Sequence, residues 1–232
     1  MKIAIKVGGS VFCPGDKPDQ IYAKRLAETL KELSGRNRLV VVVGGGKLAR
    51  KMIEEAKKRN VISDEELHTL GIKASRINAS FLIKELKENA HPLIPRNTEE
   101  VKKAFASKKI VVLGGFRPGQ TTDAVTLQSA EAVGAELIVM GKDVKGVYDR
   151  NPKKYKDANF LPKITASGLR KMVETGSVRP GENTIVDPIA AEMIERLGKR
   201  TFVLDIRKLD NLVRAIDGKE FEGTTILKSE KR

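Results

Sequence analysis

The stretch Leu39–Arg50, LVVVVGGGKLAR, constrains the fold of this chain more than any other. Its first five residues are apolar and mostly β-branched, the pattern of a strand buried on both faces. They run straight into Gly44, Gly45 and Gly46, and then into a helical pattern, KLARKMIEEAKKR, expected to end near Asn60. A strand that delivers glycines to a helix start brings bare backbone N–H groups within reach of an anion. The positive end of the helix dipole adds to the attraction. Lys47 and Arg50 place mobile charge in the first turn. The arrangement recurs at the strand Lys2–Val7, followed by Gly8, Gly9 and Ser10, and at Ile110–Leu113, followed by Gly114, Gly115 and the loop FRPGQTTD. One glycine after a strand is an ordinary turn. Three such junctions at strand ends, where open α/β sheets seat their ligands, point to one site that handles several phosphates. The spacing matches neither G-x-G-x-x-G nor a P-loop.

Strands and helices alternate along the rest of the chain. FCPGDKP reads as a loop, and Pro18–Ser34 as a helix with Ile21, Leu26, Leu30 and Leu33 on one side. Ser63 and Glu66 form a capping box that opens a long helix to about Asn89. Its core stripe is Leu67, Leu70, Ala74, Ile77, Phe81 and Leu82. His91–Ile94 reads as a short strand, Thr98–Ala106 and Ala124–Val133 as helices, and Glu136–Met140 as a strand. The turn-rich GKDVKGVYDRNPKKY is long enough for a hairpin or a nucleotide-binding loop. Thr165–Glu174 follows as a helix and GSVRPGEN as a flexible loop. Asp187 as a cap, with Pro188 at the first helical position, starts a helix to about Leu197. Thr201–Leu204, Lys208–Ile216 and Thr224–Leu227 complete the chain as strand, helix and strand. This order predicts an α/β fold, a three-layer α/β/α sandwich with a largely parallel central sheet, in a single domain over residues 1–232.

The net charge of +14 raises the question of nucleic acid. The lysines, however, are dealt out along helix faces beside glutamates, as in KRLAETLKEL, the usual pattern of a solvated face. Seven Phe, three Tyr and no Trp supply no stacking motif, so the expected polyanionic partners are nucleotides and not nucleic acid. No run is long enough to span a bilayer, and the N-terminus is already strand, so no membrane span or signal peptide is expected. Cys13, the only cysteine, fits a reducing cytoplasm. Heavy use of Lys, Glu and Arg suits a hyperthermophile.

At KVGGS, VVVGGGKLAR, LGIKASRINA, GGFRPGQTTDAV and GVYDRNP, and down to DPIAAEMIER and the GTTI ending, the chain resembles the amino acid kinase superfamily. Within it the resemblance is to the archaeal-type UMP kinases. It implies transfer of the γ-phosphoryl group of ATP to UMP, with Mg²⁺, in a cytoplasmic enzyme of pyrimidine nucleotide biosynthesis. It also implies a homo-oligomer, usually a hexamer built from dimers. The N-terminal part, residues 1–135, would take the acceptor, and residues 136–232 the ATP.

Carried onto matching positions, the resemblance places Gly8, Gly9 and Ser10 around the transferring phosphate. Gly46 and Arg50 would contact ATP, together with Lys142, Asp143, Tyr148 and Asn151 of the later loop. Gly45 would contact the UMP phosphate. Phe116, Arg117, Pro118, Gly119, Gln120, Thr121 and Thr122 would hold the uridylate. Lys6 is placed to stabilise charge on the transferring group, against the alternative of a plain strand-edge lysine. Asp123 either orients a lysine or a Mg²⁺-bound water, or only caps the helix after it. Asp187 is expected to be a cap. No residue is assigned as a metal ligand.

Two segments depart from the family pattern. Where D-x-x-G is common, with the aspartate on the UMP ribose, this chain has His68-Thr69-Leu70-Gly71. Where T-N-V-D-G-V-Y-x-x-D-P is common, Lys142, Asp143, Lys145 and Asn151 differ. An imidazole at position 68 can still hydrogen-bond a ribose hydroxyl, and Lys142 can meet a phosphate. Two other readings stay open: a kinase of the same fold with another small acceptor, and an oligomer that binds nucleotides without catalysis. Val43, just before Gly44, argues against the isopentenyl phosphate branch, which usually carries a His at this loop.

Overall fold

The computed structural model describes residues 1–58, 63–152, 154–175 and 186–229. The valine run is strand β2 (Arg38–Val43), flanked in parallel by β1 (Lys2–Val7) and β3 (Val111–Leu113). On its other side β1 pairs in parallel with β4 (Leu137–Lys142), and β4 with β8 (Arg200–Asp205). β9 (Thr224–Leu227) turns antiparallel to β8, and β7 (Lys163–Thr165) runs parallel to β9 at the far edge. The seven-stranded order is β3-β2-β1-β4-β8-β9-β7. β5 (Val147–Tyr148), inside the turn-rich segment, and β6 (Phe160–Leu161), beyond it, form a separate antiparallel pair.

Strand alternation divides the core. Ile3, Ile5, Val7, Val41 and Val43 point to one face, which is covered by α2 (Gln20–Ser34), α4 (Asp64–Leu86) and α9 (Leu209–Ile216). Ala4, Val40 and Val42 point to the other, under α5 (Thr98–Ala106), α6 (Thr122–Val133), α7 (Ala166–Glu174) and α8 (Pro188–Leu197). With both faces covered, the parallel strands have no wet side, which is why they read as unbroken apolar runs. A short helix, α1 (Gly9–Phe12), follows β1, and α3 (Gly46–Lys57) follows β2 and packs on α4. The expected three-layer α/β/α architecture is the one observed.

Local signals act as expected at most ends. The Ser63–Glu66 capping box is formed, and Asp187 caps α8 with Pro188 in its first turn. α6 and α8 end at Gly134 and Gly198, both left-handed at φ 64° and 56°. Other expectations fail for physical reasons. Asp19 caps α2, so the helix turns Tyr22, Leu26, Leu30 and Leu33 inward and leaves Ile21 76% exposed. In α4 Ile77 is 49% exposed, while the polar Ser75 and Asn78 are buried. His91–Ile94 is not a strand; only the bridge Ala90–Ile110 forms, and Pro92 removes a ladder donor. The loop after β1 starts late because residues 9–12 are helical, with Phe12 buried. Lys142 belongs to β4 and not to the loop after it. The strands β6 and β7 are too short to carry a period and were not expected. Asn60 and the segment 176–183 lie outside the described residues. No described helix is long and apolar enough to cross a membrane.

Candidate active site

The C-terminal ends of β1, β2 and β4 open onto a cavity of about 560 Å³. Lys6, Gly8, Gly9 and Ser10 face it from β1 and α1. Gly44, Gly45, Gly46 and Arg50 face it from the start of α3, and Thr122, Lys142 and Asp143 from α6 and β4. These are residues of the acceptor half and of the ATP half as read from sequence, brought to one hollow.

The glycines are required by one another. A Cβ on Gly9 would lie 2.2 Å from the Gly46 nitrogen, and one on Gly46 would lie 2.2 Å from the Gly9 carbonyl oxygen. A Cβ on Gly44 would stand 2.7 Å from the Gly9 nitrogen. Gly46 also has φ 65°, which only glycine adopts without strain. The Lys47 amide donates to the Cys13 carbonyl at 3.0 Å, which pins α3 against the first loop. The missing side chains are expected from the sequence to make room for an anion. They also make room for the neighbouring loop, and a Cβ on Gly45 would meet Ala49 at 2.6 Å.

At the floor of the cavity the buried charges of Lys6 and Asp123 meet that of the partly buried Lys142. Asp123 accepts from Lys6 at 2.6 Å through one oxygen and from Lys142 at 2.5 Å through the other. It is not the cap of α6: the Thr121 hydroxyl accepts from the Ala124 amide at 3.1 Å, and Asp123 sits inside the first turn. Asp123 is paired with two lysines and does not cap the helix. Burial alone would raise the Asp123 pKa, but the two lysines hold it down at about 2. Burial also works against charged Lys6, yet Asp123 outweighs it and the Lys6 pKa is raised. For Lys142, burial together with the charge of Lys6 wins over Asp123, and its pKa falls to about 8. Two ammonium groups share one carboxylate, so the floor presents net positive charge.

Other expected residues lie further out. Of the 116–122 loop only Thr122 lines the cavity, with Arg117 and Gly119 exposed and Gly119 at φ 78°. Tyr148 packs on Phe160 with ring centroids 5.6 Å apart, and Asn151 is buried just past β5. His68 is exposed on α4, one turn before Gly71, whose carbonyl lies 3.3 Å from where a Gly45 Cβ would stand.

Three residues of α4 escaped the sequence reading. Asn78 donates its amide to the carbonyls of Gly44 at 2.7 Å and Gly45 at 3.2 Å. Ser75 accepts from the Gly115 amide at 2.8 Å, and Arg76 donates to the carbonyls of Gly115 at 3.1 Å and Phe116 at 3.0 Å. The signal was present in LGIKASRINA, where Ser75 and Asn78, one turn apart, interrupt the apolar side of a long helix.

Among the described residues no group of three or more His, Cys, Asp or Glu side chains is placed to hold a metal ion. A hollow walled by glycine backbone and floored by lysines suits phosphoryl groups, whose transfer needs position and charge neutralisation more than a covalent partner.

Comparisons with known proteins agree with this geometry. Residues 1–205 match the profile of the amino acid kinase family. The chain is 41% identical to the uridylate kinase of Pyrococcus abyssi, over 97% of its own length and 99% of the relative's. It is 38% identical to the uridylate kinase of Methanothermobacter thermautotrophicus, over 98% and 99%. Among solved structures, the uridylate kinase of Archaeoglobus fulgidus superposes with a TM-score of 0.87 at 31% identity, covering 97% of this chain and all of that one.

Proposed function

Because the chain belongs to the amino acid kinase family, we propose that it is a phosphotransferase that moves the γ-phosphoryl group of ATP to UMP, giving UDP and ADP. The observation that carries this reading is the Lys6–Asp123–Lys142 cluster beneath the glycine-walled cavity. Full-length similarity to uridylate kinases supports UMP as the acceptor.

A UMP phosphate oxygen is already anionic at neutral pH, so attack on the γ-phosphorus needs no general base. The new O–P bond forms as the bond to the β–γ bridging oxygen breaks, and its electrons leave with ADP. Lys6, the more firmly charged lysine, neutralises the transferring group. Lys142 meets the donor phosphates from β4, and Asp123 keeps both ammonium groups aimed upward. Gly8, Gly9, Ser10, Gly46 and Arg50 face the ATP phosphates, and Asp143, Tyr148 and Asn151 the rest of the nucleotide. Gly45, the 116–122 loop and His68 take the uridylate.

Mg²⁺ fits one mode of binding here. Both oxygens of Asp123 are engaged by lysines, which leaves Asp143 as the carboxylate on the cavity wall for an ion that arrives on the nucleotide. When bound, the ion would neutralise phosphate charge. The reading includes a cytoplasmic homo-oligomer, expected to be a hexamer.

The test is a panel. The protein is mixed with ATP, Mg²⁺ and, separately, UMP, CMP, acetylglutamate, carbamate and isopentenyl phosphate, and ADP is measured. Release with UMP well above the others is expected. Release only with another acceptor, or nucleotide binding without turnover, overturns the assignment.

A further inference from the structure

We propose that Ser75, Arg76 and Asn78 of α4 are positioning residues that turn the carbonyls of both glycine loops away from the phosphates, so that one helix sets the two loops at once. The proposal rests on the reading of the cavity as a phosphoryl-transfer site.

A peptide unit presents an N–H on one edge and a C=O on the other, and a peptide flip exchanges them. Glycine places little steric barrier in the way of that flip. At an anion site the two orientations are opposite in effect, since an N–H attracts a phosphate oxygen and a carbonyl repels it. The loops at Gly44–Gly46 and Gly114–Gly115 are therefore the places where orientation must be imposed from outside. α4 does so. The Asn78 amide holds two consecutive carbonyls, those of Gly44 and Gly45. Arg76 holds the next such pair, those of Gly115 and Phe116. Ser75 fixes the peptide between Gly114 and Gly115, accepting from the Gly115 amide at 2.8 Å while donating to the Ile72 carbonyl at 2.7 Å.

The residue types fit the task. Asn78 is fully buried and points its donor at oxygens, which an aspartate of the same shape would repel. Among the described residues the Arg76 guanidinium bonds only backbone oxygens, so its charge is spent on two carbonyls. α4 also touches both loops closely: a Cβ on Gly114 would lie 2.7 Å from the Arg76 nitrogen and from the Ser75 hydroxyl.

The experiment uses the full chain and the variants Arg76→Ala, Arg76→Lys and Asn78→Asp. Steady-state constants for UMP and ATP are measured beside hydrogen exchange of segments 44–46 and 114–117. Displacement of the acceptor loop should raise the UMP KM roughly 10- to 100-fold in Arg76→Ala, with the ATP KM nearly unchanged. Arg76→Lys, which keeps a cation but not the fork, should recover part of the loss. Asn78→Asp should lower kcat and speed exchange at 44–46. Simple destabilisation would lower Tm and the active fraction without separating the two KM values. Wild-type UMP KM and wild-type exchange at 114–117 in Arg76→Ala, or wild-type exchange at 44–46 in Asn78→Asp, would overturn the proposal. If the wild-type protein turns over another acceptor, the functional assignment falls, and the KM for that acceptor then tests the clamp. If it turns over none, the exchange rates decide alone.

Discussion

The Thr121 hydroxyl donates to Asp187 at 2.6 Å, although each residue also caps a helix of its own. Thr121 accepts from the Ala124 amide at 3.1 Å, and Asp187 from the Ala190 amide at 2.9 Å. The 116–122 loop is thereby fastened to the start of α8. Thr121→Val removes the cap and the link together, and should cost about 1–2 kcal/mol. Urea unfolding of Thr121→Val and Thr121→Ser measures it, with Thr121→Ser expected close to the wild type.

Lys6→Ala should lower kcat by two or more orders of magnitude, on the order of 10²-fold or greater, while ATP affinity changes little. Lys142 remains to attract the nucleotide, but the charge facing the transferring group is gone. Parallel measurement of kcat and the ATP dissociation constant checks this. A near-normal kcat would take Lys6 out of the mechanism.

The low pKa of Lys142, about 8, gives a pH signature. As pH rises through about 8 the free enzyme loses this charge, so kcat/KM for ATP should bend downward there. Stability should move the other way. Between about 8 and 10.5 the unfolded chain binds the proton that the folded chain has released, so the Lys142 contribution to stability rises with pH. Lost activity without lost structure separates titration from unfolding. Lys142→Thr should abolish the bend.

Asp123 acts with the same sign in a lower window. Its pKa of about 2 lies below the ordinary 3.8, so its contribution is complete above about 3.8 and is lost as pH falls through about 2. Asp123→Asn leaves two ammonium groups without a counter-charge and should cost about 3–5 kcal/mol at neutral pH. Chemical denaturation at pH 7 and at pH 2.5 should show the gap between wild type and variant closing on the acid side.

His68 stands exposed on α4, one turn before Gly71. A single neutral hydrogen bond to a ribose hydroxyl contributes about 0.5–1.5 kcal/mol. His68→Ala should then raise the UMP KM several-fold with ATP kinetics unchanged, and His68→Asp should lower it. An unaltered UMP KM in His68→Ala would leave the imidazole with no ribose contact.

Much of this architecture was legible because the strongest signals were local. The valine run, the Ser63–Glu66 box, and Asp187 with Pro188 each fix their element within a few residues. The glycine junctions marked the right strand ends. Their reason was out of reach, because the Gly9–Gly46 contact joins segments whose proximity only the sheet order creates. Lys142 was read as part of a loop, yet its place at the end of β4 is what aims it at Asp123. The roles of Ser75, Arg76 and Asn78 were hidden for a similar reason. Their partners are backbone carbonyls and amides, which leave no mark on composition or periodicity.

The edges of the sheet carry a last consequence. β3 and β7 are each three residues long, and β7 presents exposed Lys163 and Thr165. Strands this short, with a lysine on the rim, give another chain little to template on. Edge-to-edge strand pairing is therefore disfavoured, and with it fibrous growth under crowding.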